Sequence, residues 1–440
     1  MDLLNNRIHV NSIFVRGVAI LAILVATLSV FLNLSQSIQW HQRPLSNEIY
    51  IWNYLWNEKV SNILKQAAPQ TSRFLALSAE VLWKTGQASV KRVPIDYNAL
   101  KATKKPVGLC LRIEQYAGPF ERQDEATTLL IRLATSLIAE ANTSGVKPAE
   151  FQIDFDCAES KLDGYRKWIE VLRPTIHPTP LTITALPCWM KHKTFIPLAC
   201  ATDGYVLQVH SLSQQNEPKS PFTLCDKTLT RQWVEQAARI GVPFRVALPT
   251  YGYLLTFDKN GRFIGRQAES PSRAWIPGAT YRTVFADPCA MSRLVRTWKT
   301  DRPACMKGIT WFRLPVEGDR MNWSWITLSA VMAGQVPDLT VAVKVEYPVP
   351  ELAEIILINT GNTDLYPAVN VQIEWEQGKR IAADGLRGFV LTATKHANIC
   401  LQPDKYHTLE RITPGDSWKI GWIRFEQETK VNSIVTFLKT

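Results

Sequence analysis

Two aspartates stand two residues apart near the middle of the chain, in the segment EFQIDFD from Glu150 to Asp156. Apolar and polar residues alternate there, which is typical of a β-strand whose two faces meet different environments. Same-face residues lie about 6.6 Å apart along a strand, so Asp154 and Asp156 project together from its carboxyl end. Because neighbouring carboxylates drive their pKa values apart, this pair is suited to proton-transfer catalysis.

The elements that must position this pair alternate between strand and helix from residue 48 to 335. Eight strands interleaved with helices predict an α/β fold, a (β/α)8 TIM-like barrel. An insertion at 256–282, rich in Gly, Ser and Arg, is expected to be irregular. The strands are expected at 49–53, 73–80, 106–114, 150–156, 181–186, 205–212, 244–248 and 308–314.

In TIM barrels the chemistry lies at the carboxyl ends of the strands. Glu114 ends the strand before the aspartate strand, so we expect Asp154, Asp156 and Glu114 to be the catalytic residues. Carboxylates about 5–5.5 Å apart suit a retaining glycosidase and wider pairs an inverting one, and both outcomes stay open. Other strand ends carry polar and aromatic residues expected to bind substrate: Trp52, Glu80, Trp189, Gln208, His210, Tyr251, Trp311 and Arg313.

Each of these residues also has a purely structural interpretation. The aspartates could pair with Arg112 or Arg313 or cap the following helix, and His210 could be a core histidine bonded to a backbone carbonyl. Indole rings have flat apolar faces suited to stacking on sugar rings, but they also fill barrel rims. Tyr251 could donate to a substrate oxygen or simply pack.

The composition is that of a globular protein: 46% of the 440 residues are hydrophobic and 10% aromatic. The formal charge of +11 comes from scattered cations, which indicates either a basic solvated surface or an acidic partner such as an anionic membrane or an envelope polyanion. No nucleic-acid-binding motif accompanies the charge, so that partner is not expected. The sequence predicts no oligomeric state.

The sequence lacks the dinucleotide-binding motif GxGxxG, the P-loop motif GxxxxGK[ST], the zinc-protease motif HExxH and the serine-hydrolase motif GxSxG. The eight cysteines show no zinc spacing, so we expect no metal and no cofactor. If the chain is exported some cysteines would pair, and Cys289 with Cys305 is the first candidate pair.

The amino-terminal segment, residues 1–37, contains an uncharged 18-residue run from Gly17 to Leu34. Arg7 and Arg16 precede it, so the positive-inside rule predicts a cytoplasmic amino terminus and export of the rest. The segment is a retained signal anchor that spans the membrane, a cleaved signal peptide or, as a third alternative, a buried helix of a soluble protein. The first two place the protein in the cell envelope, periplasmic or extracytoplasmic, and the anchored form in the inner membrane.

The pattern changes after residue 338, where short strand-like runs alternate with turn signals to residue 440. Such a pattern predicts a small all-β, sandwich-like domain of about 100 residues. A helix at 322–333 and the segment 334–337 are expected to join it to the barrel.

Several segments together resemble a bacterial family, the domain-of-unknown-function family 3142: IYIWNYLW, FQIDFDCAESKLDGYRKWIEVLR, LTITALPCW, LQVHSL and RVALPTYGY, with INTGNTDLYP and AADGL in the tail. The likeness covers residues 48–440 and implies a glycoside-hydrolase-like barrel without a defined activity. Against the DxxDxDxE strand of family 18 chitinases, Asp154 and Asp156 match the second and third aspartates. Phe151 and Ala158 replace the first aspartate and the acid glutamate, which argues against chitinase-type substrate-assisted chemistry.

Two functions therefore remain open. The first is an exported or membrane-anchored, glycoside-hydrolase-like protein that acts on an envelope or extracellular polysaccharide by carboxylate acid–base chemistry. Here Asp156 or Glu114 is the general acid and Asp154 orients or stabilises. The alternative is a non-catalytic barrel that binds carbohydrate or protein, in which arginines occupy the carboxylates.

Overall fold

The computed structural model describes residues 44–84, 86–212, 222–268, 276–366, 369–393, 398–404 and 410–437. The expected membrane segment at 17–34 lies outside these residues, so the signal anchor and the signal peptide both stay predictions. Within the described ranges, no helix combines the length and the apolar character needed to cross a bilayer.

Eight parallel strands close into a barrel, which confirms the predicted TIM-like fold. Neighbours in the chain are neighbours in the barrel, and the ring closes because the first strand pairs in parallel with both the second and the last. The eight are β1, β2, β4, β5, β6, β7, β8 and β12. The strands of this half are β1 (Ser46–Ile51), β2 (Arg73–Lys84), β3 (Gln87–Arg92), β4 (Val107–Ile113), β5 (Glu150–Phe155), β6 (Leu181–Ala185), β7 (Tyr205–Gln208), β8 (Phe244–Pro249), β9 (Gly252–Phe257), β10 (Phe263–Gln267), β11 (Thr280–Phe285) and β12 (Met306–Phe312).

Helices cover the outside of the barrel with their apolar faces. The longest begins at Asp124, whose side chain accepts a hydrogen bond from the Thr127 amide and so caps the helix. The helices are α1 (Glu58–Ala67), α2 (Tyr97–Ala102), α3 (Glu125–Thr143), α4 (Leu162–Ile176), α5 (Phe195–Cys200), α6 (Lys227–Ile240), α7 (Pro288–Thr300) and α8 (Trp325–Ala333).

The insertion expected to be irregular is instead largely a three-stranded antiparallel sheet, in which β9 lies between β10 and β11. Strands β10 and β11 each pair with β9, and Tyr253, Leu255 and Phe257 of β9 turn the same way and join a small buried cluster. Residues 269–275 of this insertion are not described. The sheet stands directly after β8, so it borders the carboxyl end of the barrel.

The carboxyl-terminal part consists of two four-stranded sheets, ordered β13-β14-β19-β16 and β17-β18-β15-β20. Apolar residues of both sheets, among them Ile355, Val371, Leu401 and Ile423, form one buried cluster, the arrangement of a β-sandwich. The strands are β13 (Val341–Val349), β14 (Leu352–Asn359), β15 (Val369–Glu374), β16 (Arg380–Gly385), β17 (Phe389–Thr392), β18 (Ile399–Pro403), β19 (Ser417–Phe425) and β20 (Asn432–Phe437).

An ionic cluster fills the barrel interior at the amino ends of the strands. Arg245 donates from Nη1 and Nη2 to Glu150 at 2.8 and 2.9 Å and also binds Glu48. Arg73 Nη1 lies 3.1 Å from Glu150. Although burial raises carboxyl pKa values, the charges of Arg245 and Arg73 outweigh it and lower the pKa of Glu150. Two carboxylates thus face two guanidinium groups, and this end of the barrel is closed.

Candidate functional site

Strand β5 carries four polar residues on the side that faces the barrel interior. Glu150 belongs to the ionic cluster, and Gln152 accepts a 2.6 Å hydrogen bond from the Tyr50 hydroxyl at mid-barrel. Asp154 follows near the carboxyl end of the strand, and Asp156 comes just beyond it. The strand thus places its two aspartates in succession at the mouth of the barrel.

The Asp154 carboxylate is held at both of its oxygens. Arg112 Nη1 donates to Oδ2 at 2.7 Å, and Thr184 Oγ1 donates to Oδ1 at 2.8 Å. The residue is only 6% exposed. Because β4, β5 and β6 each contribute one member, the Asp154 side chain has a defined orientation and an occupied charge.

The Asp156 carboxylate is in the opposite situation. Its residue is exposed, and it makes no ion pair or hydrogen bond within the described residues. The walls of the surrounding groove exclude part of the water around the carboxylate. This burial and the charge of Asp154 raise the pKa of Asp156, and they outweigh the charges of Arg112 and Arg266, which lower it. A carboxyl with a raised pKa and free oxygens is suited to donate a proton.

Asp156 lines a groove of about 740 Å³ formed by the segments that follow β2, β4 and β5. Trp83 and Tyr116 lie in its wall with ring centroids 4.5 Å apart, and Tyr116 in turn packs on the buried Trp168. Half-buried rings beside a carboxylate offer apolar faces for a sugar ring. Sequence reasoning missed both, although the alternation that continues past Glu80 to Trp83 would have extended β2 over this rim.

Glu114 and Glu80 flank the aspartate pair on neighbouring strands. Glu114 follows β4, is half-buried, and makes no ion pair within the described residues. Glu80 Oε1 lies 3.9 Å from Arg112 Nε, so Arg112 stands between Glu80 and Asp154. The structure therefore gathers all the predicted carboxylates at the mouth, but Arg112 neutralises one of them directly.

The floor of the mouth is aromatic. The half-buried Trp52 packs edge-on against Phe312 at 5.1 Å and Tyr50 at 5.7 Å, and the Arg112 guanidinium lies 5.9 Å from its ring centre. Gln208 ends β7 and is half-buried there. Trp52 and Gln208 are thus placed where they can contact a molecule that enters the mouth.

His210 and Tyr251 form a neutral, buried network at one side of the mouth. The Tyr251 hydroxyl lies 3.3 Å from His210 Nδ1 and 3.2 Å from the Tyr253 hydroxyl, which in turn lies 2.6 Å from Ser211 Oγ. Burial lowers the pKa of His210 to about 3, so its imidazole is uncharged at neutral pH. His210 is 4% exposed and Tyr251 is 2% exposed. Both residues therefore form part of the wall of the mouth and do not project into the open space.

Three further residues that were expected to bind substrate do not reach the mouth of the barrel. Trp189 and Trp311 have no exposed surface: Trp189 Nε1 donates to the Cys157 carbonyl, and Trp311, alternating with the inward Phe312, points outward and donates to Asn47. The prediction that these two rings stack on substrate is therefore wrong. Arg313 is also buried. Its guanidinium donates to Asp319 at 2.6 Å and to the Ala268 carbonyl at 3.0 Å, so it is already occupied.

The cysteines add no site to the mouth. All eight are unpaired, so the expected Cys289–Cys305 pair is wrong. The described residues contain no group of three or more His, Cys, Asp or Glu side chains that could hold a metal ion.

The family resemblance, expected over residues 48–440, is confirmed over the part of the barrel from residue 103 to residue 317. Residues 103–317 match the model of the family described as "Domain of unknown function (DUF3142)". The match begins before β4 and ends after β12, so it contains Glu114, Asp154 and Asp156. No curated protein is similar to this chain at a significant level.

Solved structures with a similar fold include three bacterial enzymes. A chitinase from Chromobacterium violaceum ATCC 12472 has 13% identity and a TM-score of 0.46 over 66% of this chain and 98% of that chain. The Bacillus cereus spore cortex-lytic enzyme SleL has 13% identity and a TM-score of 0.45 over 62% and 72%. The GH18 chitinase ChiB of Flavobacterium johnsoniae has 12% identity and a TM-score of 0.42 over 67% and 94%.

Proposed function

We propose from its geometry that the barrel, most of which matches the model of a family whose description names no activity, hydrolyses a glycan at the mouth. The observation that carries this proposal is Asp156, an exposed carboxyl with a raised pKa that lines a groove with Trp83 and Tyr116 in its wall. Glycosidic cleavage needs a carboxyl group that donates a proton and a second carboxylate, and aromatic faces suit the binding of a sugar ring.

In the proposed reaction Asp156 protonates the glycosidic oxygen and so assists departure of the leaving sugar. The bond from the sugar carbon to that oxygen breaks, and positive charge develops on the sugar ring. The Asp154 carboxylate, fixed by Arg112 and Thr184, faces the same mouth and stabilises this charge. Glu114, which has no cation partner among the described residues, is placed to take a proton from the attacking water.

The cellular location of the protein and the class of its substrate are also proposals. The uncharged run at 17–34, preceded by Arg7 and Arg16, supports export and attachment to the inner membrane. An exported glycan hydrolase would meet polysaccharides of the envelope or the extracellular space. We propose such a polysaccharide as the substrate.

The experiment that tests the proposal is a screen of the full-length protein against bacterial polysaccharides, with new reducing ends as the readout. Asp156→Asn should lower the rate on an active glycan at least about a hundredfold, whereas Asp163→Asn, an exposed aspartate on α4, should leave it unchanged. Equal rates for wild type and Asp156→Asn would remove Asp156 from the chemistry.

A second function, glycan binding without catalysis, is favoured by one specific observation. Arg112 and Thr184 together occupy both oxygens of Asp154, as expected if that carboxylate only maintains the shape of the mouth. This function predicts glycan binding without new reducing ends, and Asp156→Asn should then change affinity alone.

A further inference from the structure

A second groove lies on the flank of the barrel between α6 and α7 and encloses about 760 Å³. It shares no lining residue with the groove at the mouth. Four exposed cations line it, two from each helix: Lys227, Arg231, Arg293 and Arg296. One carboxylate, Glu235, also lines it, so the groove carries a net of three positive charges.

The four cations outnumber the single carboxylate in the groove. None of them forms an ion pair within the described residues. Some arginines elsewhere on the helical surface are paired, as Arg166 is with Asp163 at 2.9 Å and Arg173 is with Asp203, whereas Arg132 and Arg239 make no ion pair within the described residues. Unbalanced like charges around one groove repel each other, and an anion that enters it relieves this repulsion.

On each helix the spacing of the two cations places them on one face. Lys227 and Arg231 are four residues apart on α6, and Arg293 and Arg296 are three apart on α7, so each pair shares one helix face. At 1.5 Å per residue the pairs span about 6 and 4.5 Å along their helix axes. Two short columns of positive charge therefore face one groove, which suits several anionic groups on one extended molecule.

We propose that this groove binds an anionic polysaccharide, a chain that carries carboxylate, sulfate or phosphate groups along its length. Polar donors lie between the cations, among them Thr228 and Gln232, and these suit hydroxyl-rich chains. The inference goes beyond hydrolysis at the mouth, because it holds whether or not the barrel cleaves a glycan.

Other anionic partners fit this groove less well. None of the ten described residues that line it is aromatic, whereas proteins that bind single-stranded nucleic acid stack bases on aromatic rings. Leu294, its only large apolar lining residue, is buried, so the groove offers no apolar side chain for insertion into a membrane. A bilayer also presents a broad surface, which reaches cations inside a groove poorly.

The test measures binding of dextran sulfate to the full-length protein, with uncharged dextran as the control polymer. The double variant Arg231→Gln/Arg293→Gln removes one cation from each helix. The matched control is Arg132→Gln/Arg239→Gln, which removes two exposed helix arginines outside the groove and lowers the net charge by the same amount. Circular dichroism and thermal unfolding of both variants establish that they fold.

The groove variant should bind dextran sulfate about tenfold more weakly than wild type, since it lacks two charge-assisted contacts. The control variant should stay within about twofold, and binding should weaken as salt is raised. Equal losses in both double variants would overturn the proposal, because the affinity would then follow net charge alone. Anionic phospholipid vesicles that bind more tightly than dextran sulfate, with the same dependence on Arg231 and Arg293, would also overturn it in favour of a membrane surface.

Discussion

The two ends of the barrel interior contain the same kinds of side chain in different states. At the closed end Glu48 and Glu150 face Arg73 and Arg245, and all the carboxylates are bound. At the mouth Asp154 is bound by Arg112, while the Asp156 carboxylate has no partner among the residues that the structure describes. Glu150, Asp154 and Asp156 belong to one strand and its immediate extension. Residue type alone therefore does not decide whether a carboxylate is bound by a cation.

The difference follows from access to water. A charge sealed inside a barrel must be balanced by neighbouring opposite charges, because desolvation of an isolated ion costs several kcal/mol. At the mouth water supplies part of that balance, so a carboxylate without a cation partner is tolerated and its pKa can be tuned by its neighbours. One end of the barrel thus serves stability, and the other is available for chemistry.

The largest expected effect is at the closed end. Arg245→Met should lower the free energy of unfolding by about 4 kcal/mol, because Glu48 and Glu150 would stay buried with one arginine between them. Urea unfolding monitored by circular dichroism measures this loss. Adding Glu48→Gln should recover part of it, and a loss below about 1 kcal/mol for Arg245→Met alone would contradict the contrast between the two ends.

The neutral network at the mouth predicts a pH effect. The pKa of His210 falls from 6.5 to about 3 on folding, so the unfolded chain binds a proton that the folded protein excludes. Stability should therefore decline as the pH falls from 6.5 toward 3, by about 3 kcal/mol at pH 4 from this group. His210→Gln should flatten that part of the profile of unfolding free energy against pH, and an unaltered slope would exclude His210 as its source.

The ion pair at the mouth should matter less than the closed cluster. Arg112→Met leaves Asp154 without its cation, but the arginine side chain is 34% exposed, so the expected loss is about 2 kcal/mol. Arg166→Met, which breaks surface pairs on α4, serves as the control and should cost less than about 1 kcal/mol. Losses of equal size in urea unfolding would mean that the Arg112 pair is only a surface contact.

The smallest effect on stability is expected at Asp156. Because its pKa is raised in the folded state, any stability linked to this group is present at acid pH and is lost as the pH rises through the folded pKa. Asp156→Asn removes that loss, so at pH 7 the variant should equal the wild type or exceed it by less than about 0.5 kcal/mol. Clear destabilisation in thermal unfolding would show that Asp156 has a structural partner instead.

Much of the barrel could be predicted from sequence because alternation and helical periodicity are local properties. The eight strands and the run of inward residues on β5 follow from such patterns. The insertion after β8 could not be assigned this way, since its three strands depend on pairing between segments that lie apart in the chain. For the same reason the ionic cluster was missed: Glu48 and Arg245 meet only when the barrel closes.

The sequence by itself determined which residues face the barrel interior near its mouth, because the side-chain direction on a strand has a period of two. Asp154, Asp156 and Glu114 reach the mouth for that reason. Only the tertiary structure decided which of them carries a free carboxyl, which tryptophans stay buried, and that Trp83 and Tyr116 stand beside Asp156. Those outcomes depend on the charges and solvent that surround each side chain, and residues far away in the chain supply these surroundings.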